Sequence, residues 1–360
     1  MLITFPFIAK TGYLPAGGRF EREGVTIPRS TQTSWLLQCY ETIKPLGEVL
    51  KQVVLESDIL FTDDTPIPLQ VKGHGRVKKG RLWVYIRGGP GPPLAVYDFS
   101  PDRSKKRPLD FLDGYLGYVH ADAYSGYDEL FERDGVIEAC LPRRVGCWVH
   151  VRRKFDEAVS SRPREATEIM GRIAQLYKVE SGCKDMGPQQ RCAYRNTHAR
   201  LIIDRLFHRL EDLIHETVPS EPLRKAINYA LNQREALYRY LDNGWLKPDN
   251  NTAENAIRPL ALGRKNWLFA GSERGGKAAA LYYSLIESCK ACDVNPWEYL
   301  NDVLRRIMSH PIKKLRELLP DKWVPGAKDS HGLIVLGRQA PSRPTRWPSS
   351  AYTRRNIPPR

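Results

Sequence analysis

The stretch Ile59–Leu69, ILFTDDTPIPL, decides how this chain has to be read. Its residues alternate apolar and polar before and after Pro66, which predicts a strand with a pair of acids, Asp63 and Asp64, at its middle. Two more β-rich runs follow, Arg81–Arg87 (RLWVYIR) and Leu94–Ser100 (LAVYDFS). Between the first two lies VKGHGRVKKG, a basic, Gly-containing turn that carries Arg76, Lys78 and Lys79. Gly117–Asp122 (GYVHAD) reads as a short strand ending in a turn, and Ile137–Leu141 as a further short strand.

Helical spacing surrounds this block. Thr31–Leu55 repeats apolar residues at three and four, from Leu36 to Val53, and predicts one long helix. The same period returns near Pro108–Tyr115. It then fills His150–Leu241, with polar breaks at Ser160–Arg164, Ser181–Gln190 and Val218–Glu221. A Pro/Asn-rich turn, Lys247–Thr252, precedes a short helix and the run GRKNWLF. Ala278–Cys292 and Pro296–Ile307 predict two closing helices. Beyond Trp323 the chain is basic, rich in Pro and without period, and is expected to be disordered. The expected fold class is α/β, with an all-helical block inserted between two mixed segments.

Composition narrows the function. Lys and Arg total 56 against 41 Asp and Glu, a net charge of +15 in 360 residues, and a surplus of that size draws polyanions, of which nucleic acid is the commonest. Only part of it lies in the tail, so the body is basic in its own right. Hydrophobic residues make up 41% of the chain, enough to build a core and to exclude general disorder. No apolar run reaches the ~18 residues of a membrane-spanning helix, and the start lacks a basic leader with a cleavage site, which predicts an intracellular protein without membrane partners. The seven cysteines are scattered and odd in number, as expected of reduced thiols. Cys289-Lys-Ala-Cys292 has the spacing of half a zinc site, but no second pair follows, and a buried helix face accounts for it better.

Three acids stand out by context: Asp63 in the opening strand, Asp122 at the end of a later one in VHADAYSGY, and Glu254 in the first helical turn after Asn250-Asn251-Thr252. Taken singly, each has a local explanation as a turn residue or a helix-dipole complement. Taken together, three carboxylates repel one another unless something neutralises them, and a divalent magnesium ion with its preference for hard oxygen ligands does so. The surroundings favour the joint reading. Arg258 follows Glu254 by one turn, and Arg264, Lys265 and Trp267 come next, a cationic and aromatic run suited to phosphate and bases.

The strings TDDTPIPLQVKGHGRVKKGRLWVYIR, VHADAYSGYDELF, GCWVHVRRKFDEA and NNTAENAIRPLALGRKNWLFAGSERGGKAAALYYSLIESCKACDVNPWEYL closely resemble transposases of the insertion sequence 66 family, in order, from about Arg19 to Trp323. That family resembles the DDE recombinases. The resemblance implies an RNase H-like catalytic domain interrupted by an all-helical insertion, which would divide this chain into a helical N-terminal remnant (1–55), a first catalytic part (56–155), the helical insertion (156–245), a closing part with the Glu-bearing helix (246–323) and a disordered basic tail (324–360). It implies catalytic and metal-binding roles for Asp63, Asp122 and Glu254. Asp64 fills the family's second acidic place, and His150 matches a further position. Asp63 and Asp64 point to opposite faces of a strand, so one alone can be a ligand, and the residues by themselves do not choose. A histidine at a helix start beside Arg152 and Arg153 needs no catalytic role to explain it.

The resemblance further implies two Mg²⁺ ions, for which Mn²⁺ substitutes, acting in strand cleavage and then strand transfer. Arg258, Arg264, Lys265, Trp267, Arg76, Lys78 and Lys79 are the expected DNA contacts. The implied partners are transposon ends and target DNA, a second copy of the chain, and accessory proteins of the element, in a bacterial cytoplasm at the nucleoid. Family members carry a helical and Cys-rich region ahead of this pattern, and the residues before Arg19 do not match it, so a shortened copy is expected. Two alternatives stay open on the residues: a DNA-binding copy without chemistry, and an RNase H-like nuclease that cuts without joining.

Overall fold

The structure is a computed structural model, and it describes residues 24, 26–71, 73, 75–132, 135–263, 270–328 and 334–335. The elements run α1 (Arg29–Leu55), β1 (Ile59–Leu69), β2 (Lys78–Arg87), β3 (Ala95–Ser100), α2 (Lys106–Phe111), β4 (Tyr118–His120), α3 (Asp128–Phe131), β5 (Arg143–Val145), α4 (Trp148–Ala158), α5 (Pro163–Gly182), α6 (Pro188–His215), α7 (Pro222–Asn232), α8 (Arg234–Tyr238), α9 (Asn251–Gly263), α10 (Glu273–Ala291), α11 (Pro296–Arg306), β6 (Ala327–Lys328) and β7 (Ile334–Val335). They form two compact units, Leu50–Ser284 and Met1–Val49 with Leu285–Arg360. Among the described residues no helix is long and apolar enough to cross a membrane.

The larger unit is built on one five-stranded sheet in the order β3-β2-β1-β4-β5. β2 lies antiparallel to β1, with Asp63 opposite Val84, and β3 lies antiparallel to β2. On the other side of β1, β4 and then β5 run parallel. β4 pairs only with Ile59–Phe61, and beyond it, among the described residues, β1 meets a second neighbour only at the Leu69–Ala270 bridge. Pro66 and Pro68 sit in the stretch between, because a proline has no N–H to give to a second neighbour.

Strand alternation sorts the sheet's two faces. Phe61, Ile67 and Leu69 of β1, Val84 and Ile86 of β2 and Tyr97 and Phe99 of β3 join one buried core with Trp148, Val151 and Phe155 of α4 and with the apolar stripes of α5, α6 and α7. In those helices Ile169, Ile173 and Leu176, then Ile203, Leu206, Phe207 and Leu210, recur at three and four and are fully buried. Each such side chain contributes roughly 1.5–3 kcal/mol by leaving water. A proline opens α5, α6 and α7 in the first turn, where a missing N–H costs no helical bond. The opposite face of the sheet carries Trp83 and Tyr85, with Tyr85 stacked on Phe111 of α2 at 3.6 Å.

A buried arginine fastens the helices to the loop ahead of α9. Arg195 of α6 forms a two-bond pair with Glu180 of α5 (2.8 and 2.6 Å) and donates to the Leu246 carbonyl at 2.9 Å. In the smaller unit α11 is capped by Asn295, whose side chain accepts the Trp297 N–H at 2.9 Å. Tyr299 is fully buried there and donates to the Leu318 carbonyl at 2.8 Å, while the Trp323 indole donates to Asp302 at 2.7 Å.

Several elements differ from their sequence-based expectation. Ile137–Leu141 is not a strand: Glu138–Cys140 forms a 3-10 turn, Ile137 is 75% exposed, and the fifth strand is Arg143–Val145. Lys78 and Lys79 belong to β2 rather than to the turn before it. α10 starts at Glu273, five residues ahead of the first apolar repeat. Cys289 is buried on α10 and all seven cysteines are free. Of the tail expected to be disordered, 329–333 and 336–360 lie outside the described residues, while Ala327–Lys328 and Ile334–Val335 pair as a short antiparallel ladder.

Candidate active site

Asp63 is the second residue past the last β1–β4 pair, on the same face as Phe61. Asp122 lies two residues beyond the end of β4, whose parallel pairing with β1 delivers both acids to the same end of the sheet. Glu254 is in the first turn of α9. All three are partly buried. They share a field: burial pushes the Asp63 carboxyl up from 3.8 to about 7, the charges of Asp122, Asp64 and Glu254 push the same way, and the Asp64 N–H that Asp63 accepts at 2.7 Å opposes them. Asp122 Oδ1 accepts the Tyr124 N–H at 3.1 Å, which turns its carboxylate at the strand end.

Asp64 has a different occupation. Its side chain points to the opposite face, is 3% exposed, and is held by Arg81 of β2 and by Arg103, each at 2.8 Å. Arg103 also lies over the Tyr124 ring, 3.7 Å from its centre. Asp64 is therefore a structural ion-pair partner, while Asp63 shares its surroundings with the other acids.

Glu254 is placed by Asn250, which the residues alone mark only as a helix cap. Asn250 is 1% exposed. Its side-chain amide donates to the Thr62 carbonyl of β1 at 2.8 Å, its backbone N–H donates to Cys147 Sγ at 3.3 Å, and its carbonyl accepts the N–H of Glu254 at 3.2 Å. One residue thus ties the sheet, the start of α4 and the start of α9 together. Tyr97 of β3 adds a second tie, its hydroxyl donating to the Ala256 carbonyl at 2.8 Å.

His150 of α4 lies 3.7 Å from Glu254 Oε1 through Nε2, and Arg153 lies 3.9 Å from Oε2. Burial lowers the His150 pKa, with Glu254 and Asp122 pulling it back. Beneath the site His120 is fully buried, stacked on Phe61 at 4.2 Å, and pushed down to about 3 by burial, so it is neutral. Next to the start of α9 a cleft of about 520 Å³ is lined by Phe61, Arg87, Lys184, Trp245, Lys247 and Thr252, among others. The sequence gives no sign of this cleft, since its cationic and aromatic residues come from distant segments.

The expected DNA contacts divide. Arg258 is exposed on α9, one turn past Glu254. Arg264, Lys265 and Trp267 lie outside the described residues. Arg76, Lys78 and Lys79 are exposed, and Lys79 pairs with Pro68, about 17 Å along β1 from Asp63 at ~3.3 Å per residue. They are not part of the acid cluster.

Residues 16–278 match the family described as "Transposase IS66 family", and residues 284–320 match the "IS66 C-terminal element". Two relatives in Sinorhizobium fredii (strain NBRC 101917 / NGR234) are uncharacterized protein y4qI, 32% identical over 316 residues, and uncharacterized protein y4hP, 31% identical over 323 residues. Each alignment covers 85% of this chain and 58% of the relative, so the chain spans less than two thirds of their length. With matches over most of its residues in both parts, the chain belongs to the IS66 transposase family.

Proposed function

We propose that this chain is a DDE-type DNA transposase, cutting DNA at an element's ends and joining them to a target in a metal-dependent reaction. The observation that carries the reading is the convergence of Asp63, Asp122 and Glu254, contributed by β1, the end of β4 and the start of α9: Asp63 feels the charges of both other acids, which add to the burial that raises its carboxyl to about 7. The strand order, three antiparallel strands followed by two parallel ones, supports an RNase H-like arrangement, and the α4–α8 block between β5 and α9 supports the helical insertion.

The donor set fits Mg²⁺, or Mn²⁺ in its place: three carboxylates offer hard oxygens, and a divalent cation offsets both the burial of the Asp63 charge and its repulsion by the other acids. Asp63, Asp122 and Glu254 would hold it. Such ions, when bound, activate an attacking oxygen and stabilise the charge that develops on the phosphate. The chain's own residues supply position and charge. Asn250 and Tyr97 fix α9 against the sheet, so Glu254 is presented by rigid elements. Arg153 and Arg258 are cations beside the carboxylates, suited to the phosphates flanking the cut. Lys184, Lys247 and Trp245 give a strand a cationic and aromatic path past the start of α9. We assign a second copy of the chain and the element's accessory proteins as partners, in a bacterial cytoplasm at the nucleoid, on family membership alone.

The test is a duplex carrying the end of the element that encodes this chain, incubated with a target plasmid and Mg²⁺. Nicks at the element's end followed by joined products are the expected result. Nicks without joining would favour a nuclease, and neither product from folded, DNA-bound protein would favour a binding protein without chemistry. Either outcome overturns the transposase reading.

A further inference from the structure

Cys147 precedes the first residue of α4 and His150 lies in its first turn, a three-residue spacing that puts thiol and imidazole on one side of the helix start. That side faces the first turn of α9. One ligand atom from each of Cys147, His150 and Glu254 (a thiol sulfur, a ring nitrogen and a carboxylate oxygen) lies within 4.8 Å of both others. The 3.7 Å between His150 Nε2 and Glu254 Oε1 is an approach rather than a hydrogen bond. Among the described residues, Glu254 Oε1 and His150 Nδ1 are both buried and have no hydrogen-bond partner. Unpartnered buried polar atoms are unfavourable and ask for an explanation. Two of them beside a thiol that is 5% exposed make a convergent donor set.

This set differs in chemistry from the carboxylates of Asp63 and Asp122. Sulfur, imidazole and one carboxylate suit a borderline-soft ion such as Zn²⁺, which takes four ligands and commonly leaves one place to water or substrate. We propose that Cys147, His150 and Glu254 form a soft-ligand metal site of the Zn²⁺ class, beside the oxygen-only position of Asp63 and Asp122. The inference rests on the transposase reading only in that Glu254 then serves both positions. The thiolate would bind with loss of its proton, as any cysteine metal ligand does.

The test uses the full chain and Co²⁺ as a spectroscopic substitute for zinc. Wild type is expected to develop a thiolate-to-cobalt charge-transfer band in the near ultraviolet, saturating at one ion per chain and lost when Zn²⁺ is added. Cys147→Ser should lose the band, His150→Ala should weaken cobalt binding by more than the ~10-fold that loss of even an outer-shell partner costs, and Asp63→Asn should keep the band. If Cys147→Ser does not fold, His150→Ala decides: unchanged cobalt affinity overturns the site. So does a folded wild type without the band, or a band that survives in Cys147→Ser and hence belongs to another of the seven cysteines. The readout needs no DNA. Protein that binds cobalt in this way but never nicks DNA keeps the metal site and loses the transposase reading.

Discussion

Asp63 and Asp64 are neighbours in sequence with opposite physical fates. A carboxyl whose pKa is higher in the folded state binds its proton more tightly there, so Asp63 favours the fold fully below its ordinary value of 3.8 and loses that contribution as pH rises toward about 7. In a metal chelator Asp63→Asn should therefore be more stable than wild type at pH 8, by an order of a few kcal/mol, with the gap closing toward pH 4. Thermal melts across that range check it, and Mg²⁺ should raise the wild-type melting temperature while leaving the variant unmoved. Asp64→Asn should do the reverse. It weakens the charged hydrogen bonds that Arg81 and Arg103 make to their common partner and should cost about 2 kcal/mol at neutral pH, measured by urea unfolding, with divalent-ion binding retained. The sequence could not make this distinction. Alternation says that the two side chains diverge, but the arginines that occupy Asp64 are 17 and 39 residues away, and the acids that crowd Asp63 come from another strand and a distant helix.

At the scale of elements the site depends on how α9 is set against β1. Asn250→Ala removes the amide bond to the Thr62 carbonyl and should cost about 1–2 kcal/mol, because a buried acceptor is left unpaired. It should lower divalent-ion affinity as well, since Glu254 is presented from the turn that Asn250 anchors. Urea unfolding together with a Mn²⁺ titration measures both, and an unchanged ion affinity would contradict this positioning role. Long elements with strong period were legible from the residues: β1 runs over the expected Ile59–Leu69, and α1 extends the expected helix by two residues. β5 was not. Arg143, Arg144 and Val145 carry neither alternation nor β-rich composition, and the strand is stabilised by its partners: the Arg143 guanidinium covers the Tyr118 ring at 3.7 Å and donates to its hydroxyl at 2.8 Å. Ile137–Leu141 has the better strand composition and forms a 3-10 turn, because the parallel edge of β4 is taken by the arginines instead. Asn250 was legible as a cap, but its bonds to Thr62 and Cys147 span 188 and 103 residues, beyond any local pattern.

For the molecule as a whole, the net charge of +15 and the cations at the cleft and beside Glu254 predict that DNA affinity falls steeply with salt. Between 50 and 200 mM salt the loss should be about 10³-fold or more if some six phosphates are neutralised, read by fluorescence anisotropy. A flat response would remove DNA as the partner. Charge and composition point to this class of ligand in the sequence alone, whereas the cleft needed the fold to bring Arg87, Lys184 and Trp245 together. The most direct test of the central claim compares wild type with Glu254→Gln on a supercoiled plasmid carrying the element and its flanks, with Mg²⁺ or Mn²⁺ supplied. Metal-dependent nicks at the element's ends, lost in Glu254→Gln although the variant still folds and binds DNA, are the predicted result. Equal nicking by the two proteins, or none by folded wild type bound to DNA, would contradict it.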